Sequence, residues 1–259
     1  MPSTVNILAV GDICGASGLQ FFTRKLLTLK KYYGISFTVV NGENASVNGV
    51  TPDEVEEMLH AGADVVTLGN HTFGKPGIGK YLTQCDRVLR PANLGPRNPG
   101  RGCGCYSAPF GEICVMDLIG RCGMNFGPDN PFFAAERLLS GNKAKFVLCE
   151  FHAEATSEKL AMAYFLDGKL SALWGTHTHV QTSDARVFPK GTGYITDLGM
   201  TGPEESVLGI RPEQSINLFL NNPPQRYESA PGPCKLEGAV FTLDTDTGRC
   251  TGVEPVRIK

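Results

Sequence analysis

Short apolar runs and longer amphipathic segments alternate through the first part of the chain. Val5–Val10, Phe37–Val40 and Asp64–Leu68 are mostly apolar, which predicts strands that are buried on both faces of a sheet. Ser17–Tyr33 has large apolar residues at helical spacing. The segment from Thr51 to Gly62 begins with a capping threonine, a proline and two acids, which predicts a second helix. The order strand, helix, strand, helix, strand is typical of an α/β fold.

The rest of the chain mixes hairpins with further strands and helices. Cys103–Pro109 and Glu112–Leu118 are predicted as antiparallel strands that are joined at Phe110-Gly111. Either Thr156 or Ser157 is expected to cap a helix. The other predicted elements are the helices Asn130–Leu139 and Ser157–Leu166, the strands Lys145–Phe151, Leu170–Gly175, Arg186–Phe188 and Tyr194–Asp197, and a closing hairpin of Glu237–Leu243 and Gly252–Ile258.

One segment, Thr201–Lys235, departs from this pattern. It is rich in Gly, Pro, Asn and Ser, and it is predicted as a long excursion from the fold. Loops of this length are often lids or binding loops, or are simply mobile. The sequence contains no internal repeat and no linker. Residues 1–259 are therefore expected to form a single domain that carries this excursion.

Charge and hydropathy exclude several classes of function. The formal net charge is −2 and no long run has one sign, which argues against binding to duplex nucleic acid or to an anionic membrane. A single nucleotide or a short oligonucleotide stays compatible with this charge. The apolar stretches are far shorter than a membrane span, and the N-terminus lacks the basic region of a signal peptide. These features predict a cytoplasmic protein.

The chain has nine cysteines, and their spacing does not favour a zinc-thiolate site. None of them forms a C-x-x-C pair. Cys114 and Cys149 lie inside apolar runs that are predicted as strands. We therefore expect reduced, mostly buried thiols.

Polar residues that suit metal binding follow the predicted strands. His177 and His179 stand two residues apart after Leu170–Gly175, and at the period of a strand both imidazoles would leave on the same side. His60 lies inside a predicted helix and is interpreted as structural. The other candidates at strand ends offer oxygen or imidazole nitrogen, and they are His71, His152, Asp12, Glu43, Asn44 and Asn70.

The number and type of these candidates indicate two metal ions. They exceed the four ligands of one tetrahedral site. Oxygen and imidazole ligands suit manganese, iron or zinc and disfavour soft copper sites. Two ions roughly 3.5–4 Å apart stabilise the attacking and leaving oxygens of an in-line displacement at phosphorus. The pattern therefore predicts phosphoryl chemistry at a dinuclear centre.

The same motifs resemble those of a known enzyme family. Asp12, Gly42-Glu43-Asn44, Gly69-Asn70-His71, His152 and Gly175–His179 resemble the five blocks of calcineurin-like metallophosphoesterases. The longer motifs GDICG, VVNGEN, LGNHTF, EFHAEATSEK, WGTHTHVQT and DLGMTGP resemble the bacterial branch that is named for 2′,3′-cyclic-nucleotide 2′-phosphodiesterase activity. The similarity runs from about Asn6 to the C-terminus, and the combination of GTHTHVQT with FHAEATSEK is its most specific part.

The resemblance implies a fold and a function for each site residue. The fold would be a two-sheet αββα sandwich, partly parallel, with the metals at the strand ends. The first metal would be held by Asp12, Glu43, Asn44 and His179, and the second by Glu43, Asn70, His152 and His177. Glu43 would bridge the two ions, and a hydroxide between them would be the nucleophile. His71 would act as the acid and as a phosphate contact.

Two positions depart from the pattern of the wider superfamily. That pattern has histidine where Cys14 stands, and a bridging aspartate where Glu43 stands. In the closer branch, Asn44 takes the place of the missing histidine. Cys14 is either a thiolate ligand or a small apolar residue at a tight turn, and the identity of the metal depends on which is correct.

The sequence thus predicts a metal-dependent phosphodiesterase that hydrolyses small phosphodiesters, with a 2′,3′-cyclic nucleotide as the preferred substrate. The expected cofactors are two ions of iron or manganese, with zinc as a further option, and the protein is expected to be a homo-oligomer. One alternative is a phosphomonoesterase or 5′-nucleotidase that uses the same centre. The other is a regulatory protein that binds metal and nucleotide with little turnover.

Overall fold

Two β-sheets pack face to face, and helices cover the outer face of each sheet. The computed structural model describes residues 3–124 and 127–259. Its strands are β1 (Thr4–Val10), β2 (Asp12–Ile13), β3 (Ile35–Asn41), β4 (Val65–Thr67), β5 (Val88–Leu89), β6 (Cys103–Ala108), β7 (Gly111–Ile119), β8 (Phe146–His152), β9 (Ala172–Thr176), β10 (Arg186–Val187), β11 (Gly193–Ile195), β12 (Met200–Pro203), β13 (Cys234–Asp244) and β14 (Cys250–Ile258). Its helices are α1 (Gly15–Tyr33), α2 (Pro52–His60), α3 (Ile78–Tyr81), α4 (Pro131–Leu139), α5 (Thr156–Leu166) and α6 (Pro212–Phe219).

The first sheet places the N-terminal strands side by side. Its order is β2-β12-β13-β1-β3-β4-β5, and β14 pairs with β13. β1, β3, β4 and β5 run parallel, whereas β13 is antiparallel to β1. β3 and β4 end at the same level, because Asn41 pairs with Thr67. The polar residues that follow these strands therefore emerge at one edge of the sheet.

The second sheet has the order β10-β11-β9-β8-β7-β6. Its four central strands are parallel, and the two edge strands are antiparallel to their neighbours. β8 and β9 also end together, because His152 pairs with Thr176. This register brings the EFH and GTH motifs to the same edge.

Three apolar layers join the sheets and helices. Ile7, Val39 and Trp174 belong to the layer between the two sheets. A second layer, which includes Phe22 and Met58, joins α1 and α2 to the first sheet. A third joins α4 and α5 to the second sheet. The predicted αββα sandwich is confirmed, and none of the described helices is both long and apolar enough to cross a membrane.

The predicted start is confirmed for α2 and wrong for α5. Thr51 Oγ1 accepts a hydrogen bond from the backbone N–H of Glu54, and the Thr51 N–H donates to the Glu54 carboxylate. This reciprocal pair is a capping box. The N-cap of α5 is Ala155, which makes no side-chain cap. The helix begins at Thr156, so Thr156 and Ser157 lie inside its first turn and cannot cap it.

The segment Thr201–Lys235 is more regular than its composition predicted. It opens within β12, which pairs with both β13 and β2. Because Met200–Pro203 contains a glycine and a proline, its sequence carries no strand pattern. The segment also contains α6, and the side chain of Phe219 at the end of this helix is 81% exposed. The excursion thus begins as part of the first sheet and then leaves it.

The prediction that all the cysteines are reduced is wrong for one pair. Cys105 and Cys114 form a disulfide bond. They lie directly opposite each other on β6 and β7, with Cα atoms 4.0 Å apart. The register of the hairpin is what brings the two sulfur atoms together. The other seven cysteines are free.

Candidate metal centre

The ends of five strands bring the eight predicted site residues together. Glu43 of the first sheet and His152 of the second lie in contact, with Glu43 Oε1 3.1 Å from His152 Nε2. The first sheet supplies Asp12 in β2, Glu43 and Asn44 after β3, and Asn70 and His71 after β4; the second supplies His152 at the end of β8, and His177 and His179 after β9.

One group of candidate ligand atoms converges on His152. Its Nε2 lies 2.8 Å from Asn70 Oδ1, 3.1 Å from Glu43 Oε1 and 3.1 Å from His177 Nδ1. His152 and Glu43 are fully buried. Candidate ligand atoms of Glu43, His152 and His177 all lie within 4.8 Å of one another. Burial lowers the pKa of His152, but Glu43 outweighs burial and raises it, so this group favours a positive charge and would equally attract a metal ion.

Thr176 and Glu150 orient the His152 ring, and the sequence analysis assigned neither of them. The Thr176 hydroxyl donates to Glu150 Oε1 over 2.9 Å and lies 3.0 Å from His152 Nδ1. Since the hydroxyl hydrogen is used on Glu150, its oxygen accepts from Nδ1–H. Nε2 of His152 then faces Asn70, Glu43 and His177. A glutamate inside the apolar run of β8 was the sequence feature that could have revealed this network.

Glu150 is held by donors on all sides. It also accepts from Asn41 Nδ2 at 2.6 Å, from Thr67 Oγ1 at 2.5 Å and from Trp174 Nε1 at 3.2 Å. Burial raises the pKa of Glu150, while the hydrogen bonds from Thr67 and Asn41 act in the opposite direction. This ring of donors satisfies a carboxylate that no water reaches.

A second group forms around His179. Its Nε2 lies 3.2 Å from Asn44 Nδ2 and 3.6 Å from Asp12 Oδ1. Its Nδ1 lies 2.9 Å from the Leu208 carbonyl oxygen, to which Nδ1–H donates. That bond turns Nε2 toward Asp12. Leu208 belongs to the excursion, so this segment helps to set the orientation of a predicted site residue.

Asn44 and Cys14 lie beside this second group. The amide orientation of Asn44 and the protonation of Cys14 determine whether either could bind a metal. Asn44 presents its amide nitrogen, which donates to Glu43 Oε1 over 3.1 Å. An oxygen ligand from Asn44 would require a half-turn of the amide. Cys14 Sγ lies 3.4 Å from His179 Nδ1, and burial raises the pKa of this thiol. That shift favours the neutral thiol over a thiolate ligand.

The strand-like arrangement expected for His177 and His179 is wrong. β9 ends at Thr176, and the two histidines have φ angles of 97° and 61°, in the left-handed region. They therefore do not alternate as in a strand. Instead, the backbone N–H of His177 donates to Asp12 Oδ2 over 3.2 Å, and each ring reaches a different group.

A buried ion pair holds the loop between the two histidines. Lys159 Nζ lies 2.7 Å from Asp197 Oδ2, and both side chains are almost completely buried. The same carboxylate accepts from the Thr178 N–H at 3.2 Å and from the Gly199 N–H at 2.9 Å. A Cβ at Gly175 would collide with the backbone carbonyl oxygen of Thr196 and would also lie 2.7 Å from Lys159 Cδ, so the glycine allows both the neighbouring strand and the lysine to approach the loop.

Backbone strain is concentrated at this site. Five described non-glycine residues have positive φ, and four of them line one cavity: Val47, His177, His179 and Leu208. For the β-branched Val47, with φ 69°, this conformation is particularly unfavourable. Strain of this kind persists where the surrounding structure imposes it, and it is typical of functional sites.

The ionisation of the site also suits a cation. Burial raises the pKa of Asp12, but the positive charge of His179 outweighs burial and holds this pKa well below its ordinary value. Burial lowers the pKa of His177 to about 4, and His152 adds to the effect, so His177 is neutral at pH 7. Burial lowers the pKa of His179, but contacts with Cys14 and Asp12 outweigh burial and raise this pKa well above its ordinary value. The Asp12 carboxylate, which favours the proton on His179, would equally attract a metal ion.

One buried atom of the site lacks a hydrogen bond. Asp12 Oδ1 is fully buried, makes no hydrogen bond to any of the described residues, and has His179 Nε2 as a charged neighbour 3.6 Å away. A buried carboxylate oxygen in this state favours a closer positive charge. Together with the oxygen and nitrogen atoms around His152, it fits a centre that holds metal between oxygen and imidazole ligands.

The two groups open into a cavity of about 180 Å³. His71 lines this cavity, and its backbone N–H donates to Glu43 Oε2 over 3.0 Å. That bond fixes His71 beside the metal-ligand atoms while leaving its ring partly accessible. The opposite wall comes from the excursion and includes Leu208, Ile210 and Tyr227.

The two-sheet sandwich and the histidine and carboxylate groups at its strand ends are those of a metallophosphoesterase-type protein. Comparison with known proteins identifies the family. The YmdB-like protein family matches residues 8–256, and the chain belongs to this family.

Curated relatives cover nearly the whole chain. A Bacillus subtilis protein named 2′,3′-cyclic-nucleotide 2′-phosphodiesterase is 40% identical, over 98% of this chain and 97% of that protein. A Mycoplasma genitalium protein named as a phosphatase/phosphodiesterase is 35% identical, over 98% and 93%. The resemblance stated from the motifs is therefore confirmed.

Solved structures agree with the fold. A phosphatase from Mycoplasma pneumoniae superposes with a TM-score of 0.93 at 32% identity, covering 100% of this chain and 94% of the other. A protein from Thermus thermophilus superposes with a TM-score of 0.90 at 36% identity, covering 98% and 99%.

Proposed function

We propose that this protein is a metal-dependent phosphodiesterase that opens the ring of 2′,3′-cyclic nucleotides. The observation that carries the proposal is the convergence of Glu43, His152 and His177 beside a cavity that His71 also lines. The activity named for the Bacillus subtilis relative supports this choice of substrate. A compact cyclic phosphate suits a cavity of about 180 Å³.

The residues present fit two metal ions. Asn70, His152 and His177 would hold one ion, Asp12, Asn44 and His179 would hold the other, and Glu43 would lie between them, as its contacts with both groups require. When bound, such ions polarise the phosphoryl oxygens and lower the pKa of bound water. The oxygen and imidazole ligands favour iron or manganese, with zinc as a further option.

His71 would complete the reaction by supplying a proton. Opening the ring with water breaks the bond between phosphorus and the 2′ oxygen and leaves a 3′-phosphate. The 2′ oxygen must gain a proton as it departs, and an imidazole can donate one near neutral pH. The Glu43 contact to the His71 backbone places this ring at the wall of the cavity.

A phosphomonoesterase acting at the same centre is the second candidate. The names of the Mycoplasma relatives favour it, because they include phosphatase activity. The two candidates differ in the substrate that they process fastest, since a monoester carries one more negative charge than a cyclic diester.

Side-by-side rates would test the proposal. Protein loaded with Mn²⁺ would be assayed with adenosine 2′,3′-cyclic phosphate, adenosine 3′-phosphate and adenosine 5′-phosphate. We expect kcat/KM to be highest for the cyclic diester. Faster hydrolysis of either monoester would favour the phosphomonoesterase, and metal and nucleotide binding without turnover would favour a regulatory protein.

A further inference from the structure

We propose that Lys75 and Arg226 form a second phosphate-binding subsite beside the candidate metal centre. The substrate would then carry a second phosphate in addition to the one that reacts. The inference rests on the proposed function, because it places a nucleotide in the main cavity. It adds a ligand group and two binding residues that the metal centre does not include.

A second cavity adjoins the cavity of the candidate metal centre. The second cavity has a volume of about 240 Å³ and is lined by Ser46, Val47, Asn48, Lys75, Gln225, Arg226 and Tyr227. Val47, Asn48 and Tyr227 also line the cavity of the metal centre. A ligand in the main cavity can therefore extend past these three residues to the two cations.

Both cations of the second cavity, Lys75 and Arg226, lack an acidic partner among the described residues. Neither Lys75 nor Arg226 forms an ion pair with any carboxylate in the described part of the chain, and no acidic residue lines their cavity. Two unneutralised cations that share one cavity attract an anion with several oxygens.

The stem of Lys75 packs against the backbone of a neighbouring loop. Its side chain is only partly exposed. Gly49 has φ 116°, a conformation that favours glycine, and a Cβ at that position would lie 2.9 Å from Lys75 Cγ. The missing side chain at Gly49 thus leaves room for the lysine stem. Lys75 also follows His71 by four residues, so one loop connects the two cavities.

Tyr227 indicates the kind of ligand. It is partly buried and stands between the two cavities. Nucleobases stack on aromatic side chains with little dependence on sequence. A nucleotide whose base contacts Tyr227 would present a 5′-phosphate, or the phosphate that links it to a preceding nucleotide, to Lys75 and Arg226.

Binding measurements test the subsite without turnover. Calorimetry would compare adenosine 3′,5′-bisphosphate with adenosine 3′-phosphate, for the Mn²⁺-loaded wild type and for the double variant Lys75→Ala, Arg226→Ala. We expect the wild type to bind the bisphosphate about ten- to a hundredfold more tightly. We expect the double variant to lose this preference while its affinity for the monophosphate is unchanged. Equal affinities in the wild type, or a preference retained in the double variant, would overturn the proposal.

A control variant removes the same charge elsewhere. Lys80→Ala with Arg137→Ala alters two exposed cations on α3 and α4 that line neither cavity. This control should keep the preference for the bisphosphate. A loss in the control equal to that in the double variant would assign the effect to net charge and would refute a local site.

Kinetics then identify the source of the second phosphate. The substrates would be adenosine 2′,3′-cyclic phosphate, its 5′-phosphorylated form, and a diadenosine that ends in the cyclic phosphate. A higher kcat/KM for one of the last two substrates identifies the source of the second phosphate. In a plot of log kcat/KM against log salt concentration, the slope for that substrate should be steeper by about 0.7 than the slope for adenosine 2′,3′-cyclic phosphate. Equal kcat/KM values for all three substrates would refute the subsite. If none of the substrates is turned over but calorimetry still shows the preference for the bisphosphate, only the proposed function is refuted.

Discussion

Replacing Lys159 by Met should strongly destabilise the protein, because it leaves a buried carboxylate without its cation. Lys159 Nζ lies 2.7 Å from Asp197 Oδ2, and both side chains are almost completely buried. In the variant, Asp197 would retain only the backbone N–H donors of Thr178 and Gly199. Breaking a buried ion pair from one side costs about 3–5 kcal/mol. For a domain of this size that corresponds to a fall in Tm of about 6–20 °C.

Chemical denaturation of Lys159→Met, Asp197→Asn and the double variant would measure this loss. We expect each single variant to be destabilised, and the double variant to be less destabilised than the sum of the two, because it removes both charges. Lys31→Met, at an exposed position on α1, is the matched control and should stay within about 0.5 kcal/mol of the wild type. A Lys159→Met variant within about 1 kcal/mol of the wild type would refute the reasoning.

Three further predictions concern the site itself. Elemental analysis should find close to two transition-metal ions per chain. Glu43→Ala should lower the occupancy of both metal positions, whereas His177→Ala should chiefly weaken binding of one ion. Active wild type that holds a single ion would contradict the dinuclear centre. The His71→Ala variant should keep its metals. Its kcat should fall about 10²–10⁴-fold on a 2′,3′-cyclic nucleotide, but much less on a bis-nitrophenyl phosphate diester, whose leaving group needs no proton. Equal losses on the two substrates would instead assign His71 to phosphate binding. Replacing Pro212–Pro231 by a short glycine linker should raise KM for the cyclic nucleotide, because the variant lacks Tyr227, which lines the cavity. If KM and the mass of the protein in solution are both unchanged, the segment is a passive surface loop. It would then give no support to the predicted homo-oligomer.

The position of the site could be predicted from the sequence because it depends on strand order. Apolar runs such as Val5–Val10 and Phe37–Val40 define parallel strands, and their polar continuations meet at one edge. Glu43 and His152 belong to different sheets, and the face-to-face packing of the two sheets brings them together. The conformation of each site residue does not follow from strand order.

The histidine loop shows why its details could not be predicted. The left-handed conformations of His177 and His179 depend on hydrogen bonds to Asp12 and Asp197, which are distant in sequence. The orientation of His152 likewise depends on Glu150, which looked like one polar residue in an apolar strand. These are tertiary effects, and no local pattern encodes them.

The disulfide could not be predicted because it depends on the exact register of one hairpin. The predicted turn at Phe110-Gly111 would set Cys105 opposite Met116. The turn in the structure lies one residue earlier, at Pro109-Phe110, so that Ala108 pairs with Gly111 and Cys105 with Cys114. The helix α6 was not predicted for a different reason. It lies in a segment whose composition favours loops, and its Phe219 is exposed rather than packed in one of the three apolar layers.

The product formed from adenosine 2′,3′-cyclic phosphate tests the central claim most directly. Metal-free protein would be reconstituted with Mn²⁺ or Fe²⁺, and the products would be separated by chromatography while metal content is measured on the same sample. We predict no turnover without metal, and turnover to adenosine 3′-phosphate as the sole product once about two ions per chain are bound. Protein that holds both ions and a bound nucleotide but forms no product would contradict the claim that this centre is a phosphodiesterase.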